Sequence, residues 1–465
     1  MRRSVLLEFF WTKYEKTKLS KTALQPCRDI VRVRRRSHLI IIPEEHLPYQ
    51  TQMMDSQHII KSGIKKLLLT GEGFYHKILS CLRWIFSPFR RIGTLFNILK
   101  PNVWIISGDE ISSREKLVII YAGREKDKNF LVKLAFDEAF EEKYMGKVWL
   151  WKIHEIAKGD SYDCSLMIVE VPRFFRSLLG KRNCFYIPSW VTGGIDISVD
   201  NPSLFKQRNT SLKSDLSKIR RNKLRFEVTK DLSRLHDFYC NMYRPYVNKA
   251  HGDSAVEMSY EYVKSKFTRS DLINDLLLIK QGDEYRAGVL LSSRGDWARL
   301  WFLGVKDGNL NYVRDGAIGA LFYFSIQYLS ENNVTRIDFG ASRPFLKDGV
   351  LRFKRKWNQR ISREKRMVFL FKPLSLTGGV KGFFLNNPFI YEERTGLNGA
   401  IFVANDQSLS KSDFTRIYKD FYLNGLSKLV IYQFGRTDRE MLTIVPSELS
   451  EKITVRSAES IFYDE

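Results

Sequence analysis

The stretch that decides the fold reads WARLWFLGV at residues 297–305, GAIGALFYFSIQYL at 316–329 and VTRIDFG at 334–340. The first segment is aromatic and aliphatic with few breaks, which predicts a buried strand. In the second segment, apolar residues recur at spacings of three, four and seven, which predicts a helix. The third segment predicts a short strand that ends at Gly340. A strand, a helix and a second strand in this order predict an α/β unit.

The predicted helix opens on small residues, Gly316-Ala317-Ile318-Gly319-Ala320. The first backbone N–H groups of a helix have no partner within it, and no large side chain would block an approaching anion here. This helix start therefore suits a pyrophosphate. The alternative is that the glycines only allow the helix and the sheet to pack closely, because glycine pairs are common at strand–helix junctions. The local pattern leaves both interpretations open.

The segment after the second strand carries a resemblance to a known family. Residues 337–357 read IDFGASRPFLKDGVLRFKRKW, which resembles the end of the acyltransferase domain in FemAB-like members of the GNAT superfamily. Upstream, DLLLIK at 275–280, YRAGVLLSS at 285–293 and the strand at 297–305 predict a three-stranded antiparallel meander, as in that fold. The resemblance covers roughly residues 212–371.

The resemblance implies roles for particular residues. In GNAT-type folds one strand splays from its neighbour and offers its backbone to the acyl group, while the next helix start holds pyrophosphate. The residues that would bind the cofactor here are Gly304, Val305, Arg314, Gly316, Gly319, Ala320 and Lys354. Asp338, at a strand end, is the first choice for binding or deprotonating the acceptor ammonium, with Arg343 beside it in the catalytic site. The alternative is that Asp338 and Arg343 form a structural ion pair.

The implied function is an N-acyltransferase that moves an acyl group from acetyl-CoA or another acyl-CoA to an amine, such as an amino sugar or a cell-envelope polysaccharide precursor. The acyl-CoA loop of the superfamily reads Gln/Arg-x-x-Gly-x-Gly/Ala, whereas residues 314–320 (RDGAIGA) have the charge and small residues in a shifted register. Two alternatives therefore remain open. One is a FemAB-type aminoacyltransferase that uses aminoacyl-tRNA, and the other is a non-catalytic GNAT-fold binding protein.

Composition and charge limit the other classes of function. The net charge is +24, and residues 1–100 contribute half of it, with 19 Lys and Arg against 7 Asp and Glu. Such a local excess indicates a phosphate-bearing partner, which could be a nucleic acid, a lipid headgroup or a nucleotide. The five cysteines are far apart and include no C-x-x-C pair, so we expect no disulfide framework, no zinc site and a reduced cytoplasmic setting. No Ser-His-Asp order, metal-ligand cluster or Walker sequence is visible, which argues against a hydrolase or an NTPase.

The pattern along the chain predicts four regions. Residues 1–100 form a basic extension whose amphipathic helices, between Ile64 and Leu99, either dock on the next domain or lie on an anionic membrane surface. No run of 18 apolar residues predicts a spanning helix. Residues 101–200 form an α/β domain, with a helix at 130–144 and a strand at 147–153, and without the glycine turn that a coenzyme would need. The resemblance implies that this domain is a first GNAT-like half and that residues 201–372 are the second GNAT-like domain. Residues 373–465 form a small β-α-β extension. The predicted fold is thus α/β (α+β), with tandem mixed sheets flanked by helices.

Overall fold

The structure, a computed structural model, describes residues 32–35, 38–41, 98–159, 161–178, 183–200, 210–251, 257–364, 366–394, 396–404, 409–435 and 445–461. The chain divides into two compact units, Met1–Ile92 and Gly93–Glu465. In the first unit, the strands Arg32–Arg35 (β1) and His38–Ile41 (β2) pair in antiparallel orientation. The predicted amphipathic helices lie outside the described residues, apart from the last turn at residues 98 and 99. Within the described residues, no helix is long and apolar enough to cross a membrane.

The second unit alternates strands and helices. Its strands are Asn102–Glu110 (β3), Lys116–Gly123 (β4), Phe136–Lys147 (β5), Leu166–Pro172 (β6), Phe185–Pro188 (β7), Val191–Asp196 (β8), Arg225–Thr229 (β9), Ile273–Gln281 (β10), Glu284–Arg294 (β11), Trp297–Val305 (β12), Arg336–Ser342 (β13), Arg360–Arg363 (β14), Met367–Pro373 (β15), Phe389–Glu393 (β16), Gly396–Val403 (β17), Leu426–Gln433 (β18) and Ile453–Ser457 (β19). Its α-helices are Glu125–Ala135 (α1), Ile153–Lys158 (α2), Ile197–Asp200 (α3), Thr210–Arg221 (α4), Leu232–Phe238 (α5), Arg244–His251 (α6), Tyr260–Phe267 (α7), Leu310–Arg314 (α8), Ala317–Glu331 (α9), Gly349–Arg355 (α10), Gly378–Asn386 (α11) and Lys411–Phe421 (α12). A π-helical turn, Tyr239–Tyr243, joins α5 to α6.

The seven-stranded sheet has the order β14-β8-β13-β12-β11-β10-β9. The predicted meander forms its centre as β10, β11 and β12, and the predicted helix and strand follow as α9 and β13. Each face is covered by helices, with α4 and α9 on one face and α5, the π-helical turn and α7 on the other. The central strands therefore read as continuous apolar runs, because both of their faces are buried.

The six-stranded sheet has the order β5-β3-β4-β6-β15-β7. It includes β15, which follows the seven-stranded sheet along the chain, whereas β8 from the first half joins the seven-stranded sheet. The two sheets thus exchange strands across the predicted boundaries at residues 200 and 372. The helix predicted at 130–144 is wrong after residue 135, where β5 pairs with β3, and the strand predicted at 147–153 is wrong because a 3-10 turn and α2 begin there.

The C-terminal region forms a four-stranded sheet in the order β16-β17-β18-β19. The predicted β-α-β unit is present as β17, α12 and β18, and it is preceded by α11, whose start is capped by the Thr377 side chain. The Phe185 ring of the six-stranded sheet packs edge-on against Phe389 and Phe402 of the four-stranded sheet. These two sheets therefore share one core. The predicted class, mixed α/β sheets flanked by helices, is confirmed.

Candidate functional site

The candidate site begins where β12 and β13 separate. These strands pair in parallel at three positions only, Trp297↔Arg336, Ala298↔Ile337 and Arg299↔Asp338. Beyond Arg299, β12 continues to Val305 and stays paired with β11 on its other side. The edge of residues 300–305 that faces β13 therefore has no strand partner among the described residues. This is the splayed pair that the sequence predicts.

Two bulges account for the separation. On β12, Trp301 and Phe302 lie opposite the single residue Leu290 of β11. On β13, the pairing with β8 shifts by one residue between Asp338 and Ala341, and Gly340 takes a left-handed conformation there with φ of 76°. An extra residue bends a strand and increases its twist. Bulges at this level on both strands therefore turn their ends away from each other.

Arg299 and Asp338 lie on the face of the sheet opposite α9. Their chain neighbours Ala298, Leu300 and Ile337 belong to the core beneath α9, and successive side chains of a strand point to opposite faces. Trp301 packs on the second face as well, against the core formed by α5 and α7. The side chains beside the gap thus face the helices that precede β10.

Asp338 is held by two groups. Its Oδ1 accepts a hydrogen bond of 2.7 Å from the backbone N–H of Gly340. Its Oδ2 lies 3.6 Å from Nε of Arg299, which is within ion-pair distance but too long for a hydrogen bond. The Arg299 guanidinium lies over the Trp301 ring, with its Cζ 4.2 Å from the ring centroid. The Asp338 carboxylate is therefore oriented by its own strand and keeps one oxygen directed at the cations of the site.

Lys354 is the buried cation of the site. It lies on α10, which begins where Asp348 accepts a hydrogen bond from the Leu351 backbone N–H at 2.8 Å. Its side chain is 6% exposed, and Nζ donates to the carbonyl oxygens of Gly340 at 3.2 Å and Ala341 at 2.9 Å. Burial lowers the pKa of Lys354 to about 8, against the opposing effect of Asp338 and Asp348. Lys354 thus connects α10 to the bulge of β13 and places an ammonium group beside the gap. The sequence predicted Lys354 as a cofactor-binding residue but not these contacts.

The predicted pyrophosphate residues are packed against α4. Gly316 precedes α9 in a left-handed conformation with φ of 100°, and a Cβ added to it would lie 2.9 Å from Cβ of Lys218. A Cβ on Gly319 would lie 3.1 Å from Cβ of Asp215, whose carboxylate forms an ion pair with Lys356. Close helix packing therefore explains both glycines. The assignment of pyrophosphate to Gly316, Gly319 and Ala320 stays a prediction.

Three other predicted residues occupy different surroundings. Gly304 lets β12 approach the π-helical turn, since an added Cβ would lie 2.4 Å from the backbone nitrogen of Tyr243. Val305, next to it, is fully buried. Arg314 is exposed on α8, and its Nη1 donates to the side chain of Asn311 at 3.2 Å. The predicted cofactor contacts of Gly304, Val305 and Arg314 stay predictions.

The alternative interpretation, an ion pair between Asp338 and Arg343, is wrong. Arg343 donates instead to Asp127 of α1 at 2.6 Å. Its guanidinium also lies over two rings, 4.3 Å from the centroid of Phe130 and 3.9 Å from that of Trp190. The exchange of strands between the sheets brings α1 to the end of β13. The local sequence does not reveal this exchange, so it did not predict Asp127 as the partner of Arg343. Arg343 thereby joins the two sheets, and its role in catalysis stays a prediction.

Three residues of the site, Arg299, Trp301 and Lys266, were not predicted from the sequence. Lys266 of α7 lies over the Trp301 ring, with Nζ 4.9 Å from the ring centroid. A signal was available, because an arginine within an apolar strand is unusual and two residues at i and i+2 share one face. Among the described residues, no group of three or more His, Cys, Asp or Glu side chains is placed to hold a metal ion.

Comparisons with known proteins give weak similarities. No protein-family model matches the sequence, and no curated protein is significantly similar to it. Among solved structures, FemX is 14% identical over 55% of this chain and 80% of its own, with a TM-score of 0.31. L-PGS from Bacillus licheniformis is 13% identical over 61% of this chain and 85% of its own, with a TM-score of 0.30. A C-terminal DUF2156 domain from Agrobacterium fabrum is 14% identical over 60% and 83% of the two chains, also with a TM-score of 0.30. At these values, the similarities do not decide the family or the activity of the chain.

Proposed function

We propose that this protein is an N-acyltransferase and that the gap between β12 and β13 holds the acyl group. The observation that supports the proposal is the unpaired edge of residues 300–305 next to the buried Lys354 ammonium and the Asp338 carboxylate. An unpaired strand edge offers backbone N–H groups that can bind a carbonyl oxygen. A cation and a carboxylate beside it supply the two charges that amide formation requires.

The reaction follows from these groups. The neutral amine attacks the acyl carbonyl, a C–N bond forms, and the bond to the carrier sulfur or oxygen breaks. Backbone N–H groups of residues 300–305 and the remaining N–H of Lys354 stabilise the negative charge that develops on the carbonyl oxygen. Asp338 binds the acceptor ammonium through Oδ2 and accepts the proton whose loss gives the neutral amine, and the second proton, which the nitrogen loses after the C–N bond forms, goes to the departing carrier. The acceptor itself, an amino sugar or a cell-envelope precursor, is proposed from the resemblance alone.

Acyl-CoA is the first choice of donor, with its pyrophosphate at the start of α9 and Arg314 nearby. One observation favours aminoacyl-tRNA as the second candidate. Arg220 and Arg221 of α4, the helix packed against the start of α9, are exposed. Exposed arginines next to a site are suited to the phosphates of an RNA.

Direct titration of the full chain separates the donors. We expect acetyl-CoA to bind without RNA and to yield an acylated amine when glucosamine is supplied as the probe acceptor. Binding of aminoacyl-tRNA that weakens steeply between 50 and 200 mM salt, without acetyl-CoA binding, would favour the second candidate. If neither donor binds, the acyltransferase proposal fails.

A further inference from the structure

Two buried N–H groups beside the gap have no hydrogen-bond partner. Nε1 of Trp301 and Nε of Arg299 are shielded from solvent, and neither donates a hydrogen bond within the described residues. Buried donors in folded proteins are almost always paired, because an unpaired one loses its bonds to water without replacement. The two side chains are also in contact, since the Arg299 guanidinium lies over the Trp301 ring. Trp301 Nε1 therefore lacks an acceptor, and Asp338 Oδ2, at 3.6 Å from Arg299 Nε, is beyond hydrogen-bond distance.

The charge around these donors is positive. Lys266 and Arg299 both contact the Trp301 ring, and Lys354 lies behind Asp338. Within the described residues, Lys266 has no carboxylate at ion-pair distance, and Asp338 is the acid that Arg299 contacts. Asp348 is turned to the backbone at the start of α10. The site therefore carries more positive than negative charge before any ligand enters.

We infer that the acceptor carries an anionic group, a carboxylate or a phosphate, and that Trp301, Arg299 and Lys266 bind it. The inference rests on the proposed function in taking the ligand on this face to be the acceptor. The anion is separate from a pyrophosphate of the donor, because these side chains lie on the face of the sheet opposite α9. Trp301 Nε1 and Arg299 Nε donate to its oxygens, and Lys266 supplies the opposite charge. Asp338 holds the amine of the same molecule, so the substrate class is an amine with an acidic group nearby.

A binding experiment tests the anion site without any acyl donor. Inorganic phosphate and acetate are titrated into the full chain, with tryptophan emission and isothermal titration as readouts. Trp301→Phe removes the indole N–H and keeps a ring for the two cations, so we expect about tenfold weaker binding, as for one hydrogen bond to a charged group. The matched control is Trp297→Phe, four residues earlier on the same face of β12, and it should bind like the wild type. Phosphate binding that exceeds acetate binding identifies the anion as a phosphate, and the reverse identifies a carboxylate.

The opposite results are equally clear. If neither anion binds the wild type, or if both bind Trp301→Phe as tightly as Trp297→Phe, the anion site is wrong. Circular dichroism of both variants shows whether a loss of binding reflects misfolding, and Arg299→Gln provides a second variant that should weaken the same titration.

An acyl-transfer experiment separates this inference from the proposed function. Glucosamine and glucosamine 6-phosphate differ in one anionic group, and we expect a lower KM for the phosphate, with the difference reduced in Trp301→Phe. Equal KM values for both acceptors, unchanged by the substitution, overturn the inference and leave the acyltransferase intact. Anion binding that depends on Trp301 without transfer to either amine supports the anion site and counts against the acyltransferase.

Discussion

In the six-stranded sheet the parallel pair is β4 and β6, and in the seven-stranded sheet it is β12 and β13. The first pair ends at Ala122↔Val169. Beyond this pair, the Glu170 carboxylate accepts two hydrogen bonds from Arg124, one from the backbone N–H at 3.0 Å and one from Nε at 2.8 Å. The chain approaches so closely that a Cβ on Gly123 would lie 2.7 Å from Cβ of Glu170.

The second pair ends without such a closure. After Arg299↔Asp338, the edge of β12 stays unpaired, and the buried N–H of Trp301 has no acceptor. In both sheets the parallel pair stops before a helix-bearing connection, but only the first supplies a side chain that occupies the opening. Under the proposed function, the junction of the six-stranded sheet contributes to stability, whereas the junction of the seven-stranded sheet binds a ligand.

The largest expected effect is on catalysis at the open junction, the place where β12 and β13 stop pairing. Lys354→Met keeps an unbranched side chain, one atom shorter, and removes its charge, so we expect acyl transfer to fall by about 10²–10³-fold, as when one donor to a developing oxyanion is lost. Initial rates with the donor that binds measure the effect. The matched control is Lys347→Met, because the Lys347 ammonium is bound to the Asn386 carbonyl oxygen, away from the gap. Equal rates for the two variants would remove Lys354 from the reaction.

The next effect is on stability at the closed junction, where the Glu170 side chain occupies the end of the β4–β6 pair. Glu170→Gln leaves a buried site without the charge that pairs with Arg124, and we expect the free energy of unfolding to fall by about 2 kcal/mol. This value is below that of a fully buried pair, since the Arg124 side chain is 58% exposed. Acyl transfer should be unchanged. Urea unfolding measures the loss, and Glu448→Gln, which breaks an exposed pair with Lys411, should cost less than about 1 kcal/mol.

The stability and the acyl transfer of Glu170→Gln and Glu448→Gln decide between two roles of the closed junction. A Glu170→Gln protein that is as stable as Glu448→Gln would show that the closure is not structural. A Glu170→Gln protein that keeps its stability and loses acyl transfer would show instead that the six-stranded sheet takes part in the chemistry.

The fold of the seven-stranded sheet follows from its sequence because local and global preferences agree there. The helical spacing from residue 318 to 329 and the apolar runs of β10 to β12 gave correct elements, and the splay of β12 was predicted from the resemblance. By contrast, residues 136–147 (FDEAFEEKYMGK) contain many good helix formers and yet form β5, because pairing with β3 overrides their local preference.

The details of the site depend on contacts that no local pattern specifies. Trp301 and Phe302 both suit a strand, so their sequence does not reveal that they form a bulge. The two carbonyl acceptors of Lys354 exist only after Gly340 turns to a positive φ. The partner of Arg343, Asp127, lies on helix α1, 216 residues away along the chain. The sequence can therefore indicate which residues lie near the site, whereas their hydrogen-bond and ion-pair partners depend on the tertiary structure.

A pH dependence of stability is also expected at the open junction. The pKa of Lys354 is about 8 in the folded protein, below its ordinary value of 10.5, so between these values the unfolded chain binds more protons than the folded one. The contribution of Lys354 to the free energy of unfolding therefore rises with pH from 8 to 10.5, by at most about 1.4 kcal/mol per pH unit. Its destabilising effect is fully present below pH 8. Urea unfolding of the wild type and Lys354→Met from pH 7 to 10 measures the difference, and a difference that stays flat across this window would contradict a buried, perturbed ammonium.

Hydrogen exchange at the two junctions tests the central claim most directly. Amide exchange of the full chain is followed by mass spectrometry for peptides covering residues 300–305 and 119–124, with saturating acetyl-CoA, with aminoacyl-tRNA and with neither. We predict that the donor slows exchange in residues 300–305, whose edge is unpaired, and leaves residues 119–124 unchanged, because Glu170 already occupies that opening. If a bound donor slows exchange only elsewhere in the chain, or slows both junctions equally, then the gap between β12 and β13 is not the site that holds the acyl group.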